Sequence, residues 1–361
     1  MINKLKFFLR QYSKYPGYIS ETLLNPQKGI NTLKYFFSGG KNEKIGYVPP
    51  VFVASISTVC NLRCPTCQYV LKDRDVFEKG GFIKVENFRS IVEKYTPHII
   101  TLGLTGGEPL LHPELDKLVE IIKKNKLLSS ISTNGILIKK KFDLIKSFDS
   151  ISVSMDGYDY ETFKKFRGGT EKQFDEILEG LSLLRQNKIN FVISFMLTEG
   201  NVDKINEMIE FIYKTRPNVL EFHNINPHGS PNYRPLIRDK KTIQILNDVI
   251  GKKDYPFDIL IPVIFEPNSE HFKTARCNQP WRYCYFDNEG NIAPCCHLRH
   301  SEKFGNIFRD YNFNSKKIKS FRRSIMEKSL YSSDCVWCTK RFMGEDYGLF
   351  NAKKKKWILI D

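Results

Sequence analysis

Three cysteines in one short loop are the residues of this sequence whose types and spacing point most directly to chemistry. Cys60, Cys64 and Cys67 follow an apolar run, and no fourth cysteine lies nearby in the sequence. A [4Fe-4S] cluster takes four cysteine ligands, so three thiolates leave one iron with an open coordination position. Short cysteine spacings also occur in zinc sites, and the spacing alone leaves both metals open.

The other six cysteines all lie beyond residue 270. Nine cysteines in tight groups, in a sequence without a secretion signal, are typical of metal ligation rather than of structural disulfides. We therefore expect a small, metal-stapled domain after about residue 266. Its cysteines are Cys277, Cys284, Cys295, Cys296, Cys335 and Cys338.

Between about residues 50 and 265, short apolar runs alternate with amphipathic stretches, which predicts repeated βα units and a parallel sheet. The predicted strands are 51–58, 98–105, 128–133, 150–155, 190–197 and 219–224. The predicted helices are 84–95, 113–126, 138–147, 159–187 and 203–215. This alternation indicates an α/β fold, a partial (βα)6 TIM-like barrel whose functional groups gather at the carboxyl ends of the strands.

Four segments are expected along the chain. They are a basic amphipathic N-terminal segment, the barrel, a small cysteine-rich iron-sulfur domain and a basic tail, over residues 1–48, 49–265, 266–345 and 346–361.

The cysteine loop resembles the hallmark of the radical S-adenosylmethionine (SAM) superfamily, whose three cysteines follow the first barrel strand. A second motif, Gly106-Gly107-Glu108-Pro109, follows the second predicted strand. The resemblance implies that its backbone and carboxylate receive the amino group of SAM. Glycines allow the close approach, and a carboxylate suits an ammonium group. Two such motifs at successive strand ends favour this interpretation over simple turns.

Further matches follow in the order of the family. Asn134 follows the third strand, Ser154 and Asp156 follow the fourth, and Arg167 lies in the helical stretch beyond. The resemblance implies that all four bind the cofactor, with Ser154 and Asp156 on the ribose side and Arg167 on the methionine carboxylate. Arginine suits bidentate carboxylate binding. Taken singly, each residue also fits a turn or a solvated charge.

Part of the later cysteine set resembles the SPASM/twitch domain, which holds auxiliary [4Fe-4S] clusters in one branch of the superfamily. The matching residues are Cys277, Cys295, Cys335 and Cys338. Too few cysteines remain for the full SPASM set, so the shorter twitch form with one auxiliary cluster is expected. Cys284 and Cys296 are left over, and burial as a small hydrophobic side chain is the commoner fate of a free cysteine. Zinc stays open for the quartet.

The resemblance implies that an electron from a flavodoxin or ferredoxin cleaves SAM, and that the resulting 5′-deoxyadenosyl radical abstracts hydrogen from the substrate. An auxiliary cluster favours an oxidative outcome, because a substrate radical that loses a proton must pass on an electron. Substrate anchoring is the alternative. His223 and Asp287 are the candidate catalytic residues, although a histidine at a strand end is more often structural. Polar residues near them are Asn224, Asn226, His228 and Glu289.

The net charge of +16 and the pI near 9.3 favour an anionic partner without choosing among nucleic acid, lipid, sugar phosphate and acidic peptide. We expect a small-molecule substrate, such as a sugar, an aminocyclitol or a lipid-linked envelope component. A ribosomally made peptide is the alternative, although residues 1–48 look too short and too basic for a fused peptide-binding domain. A non-catalytic metal-cluster protein that binds nucleic acid is a third hypothesis. Glu108, Asp156 and Arg167 at strand ends make nucleic acid an unlikely partner.

The N-terminal segment alternates basic and apolar residues at helical spacing from Lys4 to Lys14. Such a stripe fits either an amphipathic helix on an anionic membrane surface or a helix packed on the body of the protein. The sequence contains no uninterrupted apolar window of about 18 residues, so no membrane-spanning helix is predicted. The expected location is the cytoplasm, with peripheral contact at the inner membrane surface as one option.

Overall fold

The computed structural model describes residues 25–358 except 39, 41, 73, 227–231, 253–254, 263, 265, 267, 275–276, 299–303, 310, 339–348 and 352–355. The basic stretch from Lys4 to Lys14, His228 and most of the predicted basic tail lie outside the described residues. The strands are β1 (Val51–Ser57), β2 (Thr101–Gly106), β3 (Leu128–Thr133), β4 (Ser150–Ser154), β5 (Phe191–Leu197), β6 (Val219–Asn224), β7 (Asp258–Ile261), β8 (Tyr283–Asp287), β9 (Ile292–Ala293), β10 (Leu349–Asn351) and β11 (Lys356–Ile358).

The helices surround these strands. They are α1 (Pro26–Ser38), α2 (Gln68–Lys72), α3 (Arg74–Lys79), α4 (Val85–Tyr95), α5 (Leu115–Lys124), α6 (Phe142–Ile145), α7 (Tyr160–Arg167), α8 (Glu171–Gln186), α9 (Ile205–Tyr213), α10 (Lys240–Lys252), α11 (Glu270–Lys273), α12 (Gln279–Arg282) and α13 (Lys316–Met326).

The described strands form one sheet in the order β11-β10-β7-β6-β5-β4-β3-β2-β1-β8-β9. All neighbours from β7 through β8 pair in parallel, whereas β9, β10 and β11 pair antiparallel at the two edges. The predicted partial barrel is confirmed, and β1 to β6 coincide closely with the six predicted strands. β7 is an addition to the predicted set, because its four residues are too short for a periodic signal.

Strand β8 connects the cysteine-rich segment to the barrel. It pairs in parallel with β1, so that Val51 lies opposite Tyr283 and Ser55 lies opposite Asp287. Both strands therefore end at the same edge of the sheet, where the first cysteine loop begins. The cysteine-rich segment therefore contributes one of its own strands, β8, to the barrel sheet.

The helix predicted over 159–187 is two helices, α7 and α8. Gly168 ends α7 in the left-handed conformation at φ 67°, which glycine adopts without a Cβ penalty. Asp159 and Thr170 each begin a helix with a capping box. These capping residues are visible in the sequence, but the amphipathic pattern continues across the break and predicts a single helix. The break places Arg167 at a helix end.

Alternate residues on β1 to β6 form the main core together with helix residues such as Leu118 and Leu181. The intervening positions on β3 to β5 face the other side of the sheet, as the alternation of strand side chains requires. Six of these positions are serines, namely Ser130, Ser132, Ser150, Ser152, Ser154 and Ser194, whereas Leu128, Val192 and Met196 on the same side are larger and apolar. A closed TIM barrel fills its interior with bulky branched side chains, whereas this wall is rich in serine.

Candidate active site

The two glycines after β2 hold the first cysteine loop in place. A Cβ on Gly106, which has φ 140°, would lie 2.2 Å from the Ser57 carbonyl oxygen, and one on Gly107 would lie 2.4 Å from that of Val59. The backbone N–H of Gly107 donates to the Ser57 carbonyl at 2.6 Å, and that of Glu108 donates to the Val59 carbonyl at 2.8 Å. These positions require glycine because the two backbones touch where β1 opens into the cysteine loop.

The three predicted ligands of the first cluster share this loop. The Cys60 Sγ accepts a hydrogen bond from the Leu62 backbone N–H at 3.4 Å. Burial raises the pKa of the Cys60 thiol to about 12 and also raises that of Cys64, which the charge of Arg167 opposes. Metal binding displaces thiol protons, so these values apply to the thiols before a metal binds.

Arg167 and Asp156 form a buried ion pair beside the cysteine loop. The Arg167 Nη1 lies 3.0 Å from the Asp156 Oδ2, and the Asp156 Oδ1 accepts the Met196 backbone N–H at 2.7 Å. Burial opposes the Arg167 charge, but the cysteines and Asp156 together raise its pKa above the ordinary value. The Arg167 Nε is buried and has no hydrogen-bond partner among the described residues. This site therefore fits an additional anionic group.

Glu108 ties the end of β2 to the end of β3. Its buried carboxylate accepts from the Leu110 backbone N–H at 3.0 Å, the Thr133 Oγ1 at 2.7 Å and the Asn134 backbone N–H at 2.7 Å. Burial raises the pKa of this carboxyl group, and the three hydrogen bonds act in the opposite direction. The Asn134 Nδ2 in turn donates to the Asn61 Oδ1 at 2.7 Å, inside the cysteine loop.

Three sequence motifs are therefore locked together by hydrogen bonds at one edge of the sheet. Asn61 and Thr133 are members of this network to which the sequence analysis gave no role, and the available signal was that they adjoin Cys60 and Asn134 in the sequence. Ser154 lies on the inner wall opposite Ser194. Its role on the ribose side stays a prediction, as do the SAM contacts of the other motif residues.

The structure also brings the four predicted auxiliary ligands together. Burial raises the pKa of Cys277, and the neighbouring charges of Cys338, Cys335 and Cys296 raise it further. The same is true of Cys295, which interacts with Cys296, Cys277 and Cys338. Among the described residues, no three Cys, His, Asp or Glu side chains are arranged around a single metal-ion position.

The two leftover cysteines have different surroundings. Cys284 is buried in β8, and burial alone raises its pKa, as expected of a small hydrophobic side chain. Cys296 lies instead at the auxiliary site, where the neighbouring His297 hydrogen-bonds to both Cys296 and Cys338. Sequence reasoning did not place His297 at this site. Its adjacency to a cysteine pair was the only signal.

Besides the pairing of β8 with β1, two side-chain hydrogen bonds join the auxiliary segment to the barrel. The Gln68 Nε2, next to Cys67, donates to the His297 carbonyl at 3.3 Å. The Asn226 Nδ2, just after β6, donates to the Asp334 carbonyl at 2.9 Å. The auxiliary segment thus contacts both the first cysteine loop and the end of β6, on the edge of the sheet that carries the motifs.

The two candidate catalytic residues have different settings. The His223 Nε2 lies 3.6 Å from the Glu221 Oε1, and Met196 and Ser194 are the β5 residues opposite this pair. The Asp287 carboxylate accepts hydrogen bonds from the backbone N–H groups of Glu289 and Asn291, at 3.0 and 2.8 Å, within the β8–β9 turn. Both catalytic roles stay predictions, and Glu221 is a neighbour that the sequence analysis did not name.

Comparison with known proteins identifies the family. A sequence model of the radical SAM superfamily matches residues 54–212, and a model of an iron-sulfur cluster-binding domain, SPASM, matches residues 277–340. The chain is a radical SAM enzyme with a C-terminal SPASM domain. Its cofactors are a [4Fe-4S] cluster and SAM, with auxiliary iron-sulfur binding in the SPASM domain. The buried, unsatisfied Arg167 Nε and the three adjacent cysteines fit these groups.

Two curated proteins illustrate the range of relatives of this radical SAM chain. The antilisterial bacteriocin subtilosin biosynthesis protein AlbA of Bacillus subtilis is 22% identical over 259 residues, which cover 70% of this chain and 56% of AlbA. A probable GTP 3′,8-cyclase of Methanococcus maripaludis is 27% identical over 263 residues, which cover 68% of this chain and 84% of the cyclase. The chain therefore spans little more than half the length of AlbA.

Two solved structures share the fold of this chain. Streptococcus suis SuiB bound to its precursor peptide SuiA aligns with a TM-score of 0.63 at 16% identity, covering 90% of this chain and 76% of SuiB. The enzyme anSMEcpe with bound SAM aligns with a TM-score of 0.55 at 20% identity, covering 77% of this chain and 82% of anSMEcpe. None of the described helices is both long and apolar enough to cross a membrane.

We expect Arg167→Lys to weaken SAM binding roughly 10- to 100-fold, the loss of one charge-assisted hydrogen bond of about 1.5–3 kcal/mol. Lysine keeps the positive charge but loses the Nε–H group, which has no hydrogen-bond partner among the described residues. Anaerobic titration of SAM into the reconstituted enzyme measures the change. Arg185→Lys, on the exposed surface, is the matched control. Unchanged affinity in Arg167→Lys, with full iron content, would show that Arg167 does not contact SAM.

Proposed function

We propose that this chain modifies a ribosomally made peptide by radical chemistry. The observation that carries the proposal is its similarity to AlbA over 70% of the chain, because AlbA is named for the biosynthesis of a peptide product. The alignment with SuiB, solved in complex with a precursor peptide, is consistent with this proposal at the level of the fold. The comparisons thus favour the peptide alternative over the small-molecule substrate that the sequence analysis preferred.

The chain would use two cysteine sites, one for the cluster that cleaves SAM and one for an auxiliary cluster. Cys60, Cys64 and Cys67 would hold the first cluster, and Arg167 would hold the carboxylate of SAM. When bound, the cluster and SAM supply a 5′-deoxyadenosyl radical that can abstract hydrogen from an unactivated carbon. The serine-rich inner wall of β3 to β5 would line the substrate site. The auxiliary segment contacts the first cysteine loop and the end of β6, so it would limit the access of bulk water to this site.

The auxiliary site would hold one further [4Fe-4S] cluster in the manner of a twitch domain. Its proposed ligands are Cys277, Cys295, Cys335 and Cys338. An oxidative outcome would need this cluster, or another acceptor, to take the electron of the substrate radical. A flavodoxin or ferredoxin is the proposed donor for the first cluster.

On the inner wall, His223 would contact the substrate beside Glu221. The carboxylate of Glu221 would orient the imidazole, since the two side chains lie 3.6 Å apart on the same face of β6. The Asp287 carboxylate already accepts hydrogen bonds in the β8–β9 turn, so positioning of that turn is its better supported role.

A small-molecule substrate is the second candidate. It is favoured by the similarity to a probable GTP 3′,8-cyclase, of which the alignment covers 84%. A nucleotide or sugar phosphate would also suit the basic composition of the chain.

Co-expression of the chain with the peptide encoded beside its gene should change the mass of that peptide. The proposed oxidative outcome removes one hydrogen atom by abstraction and then a proton and an electron from the peptide, so mass spectrometry of the purified peptide detects the loss of two hydrogens. A variant with Cys60, Cys64 and Cys67 replaced by alanine is the control, and it should leave the peptide unmodified. An unmodified peptide together with consumption of GTP and formation of 5′-deoxyadenosine would contradict the proposal and favour the second candidate.

A further inference from the structure

Helix α1 is amphipathic in the reverse of the usual sense. Its buried face is largely polar and consists of Lys28, Asn31, Thr32 and Tyr35. Its apolar residues Ile30, Leu33 and Phe37 are 53%, 55% and 58% exposed. Surface helices normally bury the apolar face against the core and leave the polar face in water. Here the protein core does not use the apolar face.

Polar contacts fix α1 in this orientation. The Asn31 Nδ2 donates to the carbonyls of Val48 and His98, both at 2.8 Å, and the Asn31 Oδ1 accepts the Val48 N–H at 2.8 Å. The Tyr35 ring packs edge-on against Tyr47 at 5.8 Å. Rolling the helix to bury its apolar side would break three hydrogen bonds of a buried amide, which is costly.

The exposed apolar residues form one stripe. Ile30, Leu33 and Phe37 are spaced by three and four residues, so they project from the same side of the helix. Lys34 is exposed next to Leu33. We call Ile30, Leu33 and Phe37 the α1 stripe. An exposed contiguous apolar surface of this kind marks a site for a partner or a lipid surface.

The excess of basic residues in the surrounding sequence favours an anionic partner. Apart from the buried Lys28, residues 1–38 contain five Lys or Arg residues and a single acidic residue, Glu21. Apolar side chains flanked by basic ones match an anionic bilayer, which takes up apolar groups below its headgroups and attracts each basic residue.

We propose that the α1 stripe docks this enzyme on an anionic lipid surface, with Lys34 at the headgroups. The geometry of attachment also sets the orientation. Asn31 binds residues that precede β1 and β2, whereas the cysteine loop and the glycine motif follow these strands. Docking through α1 therefore directs the active-site edge of the barrel away from the lipid surface.

Sedimentation of the full chain with vesicles tests the proposal. We expect the chain to bind equimolar phosphatidylglycerol and phosphatidylcholine, and to bind pure phosphatidylcholine at least several-fold more weakly. The affinity of the variant Ile30→Ser/Leu33→Ser/Phe37→Ser for anionic vesicles should fall on the order of tenfold or more, because the variant lacks the three large apolar side chains that would transfer from water into the bilayer. The matched control Ile243→Ser/Phe308→Ser/Met326→Ser changes three apolar residues that are exposed elsewhere and should bind as the unchanged chain does.

Deletion of residues 1–24 tests whether the α1 stripe binds a lipid surface or is instead covered by another part of the chain. Weakened but measurable binding supports the proposal, because the α1 stripe remains while four basic residues are lost. Stronger binding after the deletion would overturn it, since residues 1–24 would then be the cover of the stripe. The proposal also fails if the full chain does not bind anionic vesicles, or if the stripe variant and the control variant bind them equally. It fails as well if light scattering shows that the unchanged chain is a dimer and that the only effect of the stripe variant is to make it a monomer. Circular dichroism and iron content confirm that each variant is folded.

Discussion

Simultaneous replacement of Cys60, Cys64 and Cys67 by alanine should abolish SAM cleavage and remove about four of about eight iron atoms per reconstituted chain. The three thiols lie in one loop at the end of β1, where Arg167, Asp156 and Glu108 are among their charged neighbours. Without the thiolates no residue of this loop can ligate iron. Iron analysis and chromatography of 5′-deoxyadenosine measure the two effects.

The control for this triple variant is Cys284→Ala. Cys284 is buried in β8, away from both cysteine groups, so its removal should leave iron content and cleavage near their original values. Residual 5′-deoxyadenosine in the triple variant, above the level of a metal-free sample, would contradict the assignment of the first cluster.

The variant Cys335→Ala/Cys338→Ala should retain formation of 5′-deoxyadenosine while product formation disappears. These cysteines lie in the auxiliary segment, which is joined to the barrel by the pairing of β8 with β1 and by side-chain hydrogen bonds to Gln68 and Asn226, not by the first three cysteines. Loss of the auxiliary ligands therefore removes the second site and leaves the first loop intact. Parallel measurement of 5′-deoxyadenosine and of modified peptide gives the ratio of uncoupled to productive cleavage.

A metal-stapled segment can unfold without its metal, so circular dichroism and gel filtration of this variant come first. Cys296→Ala is a useful companion, because Cys296 lies at the same site but outside the proposed quartet. It should keep the auxiliary cluster. Normal product formation by folded Cys335→Ala/Cys338→Ala, or zinc in the auxiliary site, would show that the proposed redox role is wrong.

The sequence predicted the barrel well because its signals are local. The runs at β1 to β6 have apolar residues on one face, and each of β1 to β5 is followed by a predicted amphipathic helix, so element type and order follow from periodicity. Glu108 and Asn134 were equally accessible, since each closely follows a predicted strand, whereas Arg167 lies inside the predicted helix 159–187 and was identified through the family resemblance.

What the sequence could not predict depends on contacts between distant residues. The ion pair of Arg167 with Asp156 joins a helix end to a strand end, and the bond from Gln68 to His297 joins two cysteine segments. No periodic pattern encodes such pairs. The inverted face of α1 is another case, because Asn31 draws the polar side inward through bonds to Val48 and His98.

The pairing of β1 with β8 has a consequence for synthesis of the chain. Chains emerge from the ribosome amino end first, so β1 is available long before residues 283–287 exist. Until then the edge of β1 that later binds β8 carries unpaired N–H and C=O groups, which are a template for intermolecular strand pairing. A cut at residue 265 would make this exposure permanent. The nascent protein thus needs protection from aggregation at the strand that leads into its first iron-binding loop.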